Sequence, residues 1–240
     1  PAAQAANLED RLTLLRPFSQ ALLDNPDLAS LYLGYANGDF FMVRPLRNPQ
    51  IRERRQAPQN SAYEVWSIER DSRTGQVHSQ SLFYDPALVL IDRLEHPDER
   101  YDPRNRDWFS SARGDADQIT TRPYVFFSTQ NVGTTLARHS GKMAVIAADL
   151  TLEQLSSTLA KHRVTPSTEV ALLDDQGNVV AYPDSQKLLP EQRSARLVKA
   201  NDLSPALAAL MRGQTEGGHL QAQGRSWIVA SGHIAEGGPL

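Results

Sequence analysis

The segment Tyr101-Asp102-Pro103-Arg104-Asn105-Arg106-Asp107-Trp108-Phe109-Ser110-Ser111-Ala112 sets a tyrosine, an arginine and two further aromatics within nine residues. Arginine offers a planar fork of donors that matches a carboxylate, tryptophan a flat apolar wall with one N–H, and tyrosine a hydroxyl. At a junction between extended chain and helix, such side chains can build one wall of a small-molecule pocket. They also fit a plainer role, in which Trp108 and Phe109 pin a helix to a sheet while Arg106 carries its charged head to solvent. The residues alone leave both roles open.

Other chemistry finds little support. The histidines are His78, His96, His139, His162, His219 and His233, with no pair at metal-ligand spacing on one helix and no zincin motif. A Gly-x-Ser-x-Gly elbow, a Walker A loop and a Gly-x-Gly-x-x-Gly turn are absent, so hydrolase, nucleotide and dinucleotide readings lack their anchors. Asp174 and Asp175 are adjacent carboxylates in a turn, where acidic residues are ordinarily solvated or cap the backbone. A Ser-His-Asp triad assembled in space has no support in the sequence. No catalytic residue, metal or cofactor is expected.

Composition narrows the class further. The 240 residues can bury one large core or two modest ones. With 25 basic against 28 acidic residues, the net charge of -3 offers no broad attraction to nucleic acid or anionic lipid. The absence of cysteine excludes a disulfide framework and a cysteine zinc site. No apolar run approaches the roughly 20 residues of a membrane helix, and no charged and apolar leader opens the chain. The abrupt start in an Ala-rich helical pattern, and the stop just after a strand-like run, are expected of a piece of a longer chain.

The elements that must position these side chains follow from periodicity. Leu8, Leu12, Leu15 and Leu22 form one stripe of a helix, with Asn7 as its N-cap and Pro17 expected to kink or divide it. This helix either lies on its own domain or continues as a stalk toward a membrane. Leu31, Leu33 and Tyr35 alternate, Asn37-Gly38 suggests a type I′ turn, and 40–43 reads as the returning strand. Residues 44–60, rich in arginine and carrying Pro45, Pro49 and Pro58, read as a loop. Strands are predicted over 63–70, 76–84, 119–128, 133–138 and 142–150, with a short helix over 105–113. The last strand, apolar on both faces at Met143, Val145, Ile146 and Ala147, should be central. Thr151 with Gln154 suggests a capping box opening a helix through about 162.

A second unit is predicted from strands at 169–173 and 178–182, a helix at 204–211 and a hairpin over 218–222 and 226–231. Aligning Gly38 with Gly177 brings Leu33 onto Leu172 and Phe40-Phe41 onto Val179-Val180, a faint internal repeat. Without regular alternation of strand and helix, the class is α+β with antiparallel sheets flanked by helices.

At Tyr101, Arg106, Trp108 and Phe109 the chain resembles the double Cache family of bacterial sensor domains, whose distal module carries Tyr, four residues, Arg, one residue, then Trp-Tyr. The similarity extends through Thr121-Arg122-Pro123-Tyr124, Ala147-Ala148-Asp149-Leu150-Thr151-Leu152 and the Asp-x-x-Gly turn of the second unit. The resemblance implies an N-terminal stalk helix over residues 1–26, a membrane-distal PAS-like module over 27–150 holding the pocket, and a linker helix with a truncated proximal module over 151–240. It implies that Arg106 and Trp108 hold a ligand carboxylate while Tyr101, Phe109 and Asp149 surround its amino group. A cation for one end and an anion for the other select a zwitterion by complementary charge. Phe109 departs from the family's tyrosine and removes one possible polar contact, of order 1 kcal/mol. The expected guest is therefore an amino acid, an amine or an organic acid. Tyr124, Phe126 and Ser128, alternate residues of a neighbouring strand, are further pocket candidates. The implied whole is the periplasmic sensor of an inner-membrane receptor, a possible homodimer through its N-terminal helix. Its output domain would be a cyclase, a cyclic-dinucleotide enzyme, a histidine kinase or a chemotaxis domain. The alternative is a structural or protein-binding module with no small-molecule ligand.

Overall fold

Strands buried on both faces build the larger part of the molecule. The computed structural model describes residues 5, 7–112, 118–129, 132–141, 143–161, 163–174, 176–184, 187, 198–213, 215–216 and 218–232. In chain order it opens with α1 (Leu8–Leu12) and α2 (Leu15–Asp24), then β1 (Ser30–Tyr35), β2 (Phe40–Pro45) and α3 (Pro49–Arg54). There follow β3 (Tyr63–Arg70), β4 (Val77–Tyr84), β5 (Leu90–Glu95), a 3-10 turn (Pro103–Asn105) and α4 (Asp107–Ala112). Then come β6 (Ile119–Thr120), β7 (Tyr124–Val125), β8 (Val132–Ser140), β9 (Ala144–Thr151) and α5 (Leu152–Lys161). Short elements complete the chain: β10 (Leu172–Leu173), β11 (Val179–Ala181), α6 (Ala200–Leu203), α7 (Pro205–Met211), β12 (Thr215–Glu216), β13 (His219–Ala222) and β14 (Arg225–Ile228). These fall into two units, one of Pro1–Thr121 with Phe126–Thr151, the other of Arg122–Val125 with Leu152–Leu240.

In the first unit an antiparallel sheet runs in the order β5-β4-β3-β2-β1-β9-β8-β6. Its register sorts side chains onto two faces: Leu33 opposes Phe41 and Ile146, while Tyr32 opposes Met42 and Ala147. One face, with Leu33, Phe41, Val43, Val65 and Leu82, packs under Leu15, Phe18 and Leu22 of α2. The leucine stripe thus lies on its own domain. The helix is divided at Thr13-Leu14, and Pro17 sits in the first turn of α2, where its missing N–H costs no intrahelical bond. The Arg11 guanidinium bonds Asp39 at 2.6 Å, both side chains buried, and so ties α1 to the β1–β2 hairpin.

Several elements depart from the predicted ones. The β1–β2 turn is not type I′, which needs positive φ at both central residues; only Gly38 is positive, at +89°, and Asn37 is not. Asn37 instead accepts from the Asp39 N–H and donates to its carboxylate. The predicted 44–60 loop holds the end of β2 and then α3, opened by Asn48 as N-cap and Pro49 in the first turn. β5 is a further edge strand, and its outward Leu90 and Ile91 gave no alternation to read. β9 lies centrally between β1 and β8, but Met143 stands outside it and is exposed. The predicted helix over 105–113 is a 3-10 turn followed by α4, with Arg113 outside the described residues. The predicted strand over 119–128 survives as β6 and β7 only, with 127–129 in a turn. Thr151 ends β9, and the Gln154 side chain and His162 lie outside the described residues.

The second unit carries a two-stranded sheet, β10-β11, and a three-stranded one, β12-β13-β14. Val179, Tyr182, Ala200 and Leu207 form a small core. Ser204 caps α7 by accepting from the Leu207 N–H at 3.1 Å. The turn between β10 and β11 repeats that between β1 and β2. Gly177 N–H donates to Asp174 and Asp174 N–H to Asn178, as Gly38 donates to Tyr35 and Tyr35 to Asp39. Both glycines have positive φ. Asp174 accepts from the Gln176 and Asn178 N–H groups, the capping role open to it from sequence.

Candidate ligand-binding site

The sheet face away from α2 is aromatic over one part and polar over another. The aromatic part is a chain of ring contacts: Tyr32 meets Trp108 at 4.9 Å and Phe40 at 5.5 Å, and Phe40 meets Trp66 and Tyr101 at 5.2 and 4.8 Å. Tyr101 continues to Phe127 at 5.2 Å. Trp108 and Phe109, on α4, are 1% and 2% exposed. They close over Gly34, where an added Cβ would meet Trp108 Cη2 at 2.6 Å and Pro103 Cβ at 2.9 Å. This is the geometry in which both aromatics pin the helix to the sheet. Arg106 precedes α4; its carbonyl accepts from the Phe109 and Ser110 N–H groups, and its guanidinium lies 5.8 Å from the Tyr101 ring.

The polar part is organised by one row of the sheet. Asp149 of β9 opposes Thr135 of β8 and Ser30 of β1, and Arg44 of β2 opposes Glu64 of β3. The antiparallel register pairing Leu31 with Val43 puts Ser30 opposite Arg44, so all five share a face. Asp149 is 6% exposed. It accepts three hydroxyl donors: Tyr32 at 2.7 Å and Thr135 at 2.6 Å on Oδ1, and Ser30 at 3.0 Å on Oδ2. Burial pushes its carboxyl above the usual aspartate range, against the pull of those donors and of the Arg44 guanidinium.

Arg44, 3% exposed, donates through Nη2 to Ser128 Oγ at 2.8 Å and approaches Glu64 with Nε at 3.8 Å. Burial draws its guanidinium below its ordinary value, opposed by Glu64. Glu64 is itself clasped by Arg55 at 2.7 and 2.9 Å and by Ser81 at 2.6 Å. Burial alone would raise the Glu64 carboxyl, but the two guanidinium groups hold it below its usual value.

Between these groups lies a cleft of about 20 Å³, room for roughly one water. Ser30, Arg44, Ser128, Thr129, Asp149 and Thr151 supply its polar lining, Ile51 and Phe126 its apolar part. Of the residues singled out from sequence, the structure gathers Phe126, Ser128 and Asp149 here. Tyr101, Trp108 and Phe109 belong to the aromatic packing, Arg106 lies beside Tyr101, and Tyr124 falls in the second unit. Arg44, Ser30 and Thr135 were missed. For Arg44 the signal was present, since Phe40, Met42 and Arg44 alternate with Phe41 and Val43 and carry β2 past its apolar run. Among the described residues no group of three or more His, Cys, Asp or Glu is placed to hold a metal ion, and no helix is long and apolar enough to cross a membrane.

No family model matches the chain. It is 28% identical over 180 residues to adenylate cyclase 1 of Rhizobium meliloti, covering 74% of this chain and 26% of the cyclase. It is 25% identical over 118 residues to the methyl-accepting chemotaxis protein PscA of Pseudomonas syringae pv. tomato, covering 48% of this chain and 19% of that one. The chain thus spans about a quarter or less of each relative's length. Among solved structures, it superposes on the ligand-binding domain of the Campylobacter jejuni chemoreceptor Tlp3. The TM-score is 0.51 with the 4-methylisoleucine complex and 0.52 with the L-norvaline complex, at 15% and 16% identity. These cover 94% of this chain and 69% and 68% of Tlp3's. The chain has the fold of a chemoreceptor ligand-binding domain.

Proposed function

We propose that this chain is the extracytoplasmic sensor of a transmembrane signalling receptor, and that it binds a small amino acid, amine or organic acid in the cleft of its first unit. The observation that carries this reading is Asp149, a buried carboxylate with an upward-shifted pKa, lining an opening on the sheet face. A perturbed, buried ionisable group in a cleft is a candidate functional group, because binding sites are where burial and charge partners are arranged to shift titration. In this fold Tlp3 holds 4-methylisoleucine and L-norvaline. Both a cyclase and a chemotaxis receptor occur among the relatives, which fits one sensing unit joined to different outputs. The reading gives this chain no catalytic step; any reaction belongs to the output domain.

At about 20 Å³ the cleft must widen to admit even a small amino acid. A guest that fits only the widened state shifts the population toward it, and this differential binding is what a signal requires. The same narrowness favours a second reading, a structural or protein-binding module whose interior is filled by its own side chains. A thermal-shift screen of amino acids, amines and organic acids separates the two. A ligand at a hundred times its dissociation constant adds about 2.7 kcal/mol of stability. A rise in Tm with one compound class supports the sensor, and no rise with any class supports the structural module.

A further inference from the structure

The buried charges of the cleft are unevenly satisfied. Both Glu64 oxygens are already engaged by the Arg55 fork, and Ser81 adds a third donor. Asp149 holds three hydroxyl donors. Arg44 is the exception. Its Nη2 is spent on Ser128 and lies 2.7 Å from Met42 Sδ, its Nε is long to Glu64, and its buried Nη1 has no hydrogen-bond partner among the described residues. A buried cationic donor left unmet is costly, and such groups are rare unless something absent from the structure completes them.

We propose that Arg44 is the anion receptor of the cleft: its Nη1 takes the carboxylate of a ligand whose ammonium Asp149 takes at the other end. The two side chains stand two strands apart on one row, about 10 Å at the backbone by ordinary strand spacing. Once the cleft has widened, that separation suits a short zwitterion better than an extended diacid or diamine. This assignment rests on the sensor reading and adds the residue that takes the carboxylate. It also moves the carboxylate contact away from Arg106, whose guanidinium lies against the Tyr101 ring outside the cleft lining. Ser128, itself a lining residue of the cleft, is already bonded to Nη2, so Nη1 is the terminal nitrogen of the fork left for a ligand.

The test uses L-norvaline and its two halves, butylamine without the carboxylate and pentanoate without the ammonium, titrated against the whole chain by calorimetry and thermal shift. Wild type is expected to bind norvaline most tightly and each half more weakly. Arg44→Gln is expected to weaken pentanoate and norvaline about tenfold to a hundredfold, the size of one charged hydrogen bond, and to leave butylamine unchanged. Arg106→Gln is expected to leave all three within about threefold. If Arg44→Gln binds pentanoate as wild type does while Arg106→Gln loses it, the Arg44 assignment is overturned and the sensor reading stands. If wild type responds to none of the three, the amino-acid sensor reading falls and the assignment with it. Should Arg44→Gln fail to fold, Arg44→Lys keeps the charge beside Glu64 but lacks the second terminal nitrogen; it is expected to lose about tenfold for pentanoate. Wild-type affinity in that variant overturns the assignment.

Discussion

Two parts of one sheet face differ in how they use conspicuous side chains. The segment from Tyr101 to Ala112 carries the types most suggestive of binding, yet Trp108 and Phe109 are buried against Tyr32 and Gly34. The row Thr135, Asp149, Ser30, Arg44 and Glu64 draws one residue from each of five strands and lines or supports the cleft. The first part is local in sequence and serves packing. The second is assembled by register and brings opposite charges to one opening. Residue type alone does not tell a pocket wall from a pin; what decides is whether a neighbouring strand leaves space beside it.

The difference can be broken by substitution. Trp108→Ala is expected to cost about 3–5 kcal/mol, measured by chemical denaturation, because the void beside Tyr32 and Phe109 has nothing to fill it. A near-normal stability, with binding lost, would make Trp108 a ligand wall. Gly34→Ala is expected to cost about 1–3 kcal/mol through the close approach of Trp108 and Pro103, and Trp108→Phe in the same chain should return part of that cost. Additive losses would show that the two do not touch.

Asp149→Asn is expected to behave oppositely, abolishing the response to amines and amino acids while leaving the unliganded stability at neutral pH undiminished. The sign follows from its titration. An acid whose folded value is raised holds its proton more tightly in the folded chain. The stability tied to Asp149 is therefore present below the ordinary aspartate value, about 3.9, and is lost as pH climbs through the raised folded value. Glu64, held low, does the reverse and loses stability as pH falls through its folded value. The difference between Asp149→Asn and wild type across acid denaturation isolates Asp149: the wild-type loss on raising pH should be absent from the variant. Ligand affinity in wild type should weaken as pH falls and Asp149 takes up its proton. The smallest effect is expected of Arg106→Gln, within about 0.5 kcal/mol of wild-type stability, as for a position outside the core.

Much of the first unit was legible because β1 to β4 and β9 are rich in aromatic and aliphatic residues between turn signals, and one face of their sheet packs on α2. β5 was not, since an edge strand with outward leucine and isoleucine leaves no period to read. α3 hid behind three prolines, although Asn48-Pro49 is a capping pair. The matching turns at Gly38 and Gly177 gave a faint repeat in sequence, and their shared hydrogen-bond pattern now supports it. Phe126, Ser128 and Asp149, named from the sequence, line the candidate cleft, Asp149 having been named through resemblance alone. Arg44 was read as part of a polar loop because its meaning lies in its partners, Glu64 and the cleft, which are distant in sequence.

The most direct measurement is a crystal structure of the chain grown with saturating L-norvaline. Difference density is expected in a widened cleft, with the carboxylate on Arg44 Nη1 and the ammonium on Asp149. Density lodged against Arg106 and Tyr101, with Arg44 and Asp149 unchanged, would contradict it.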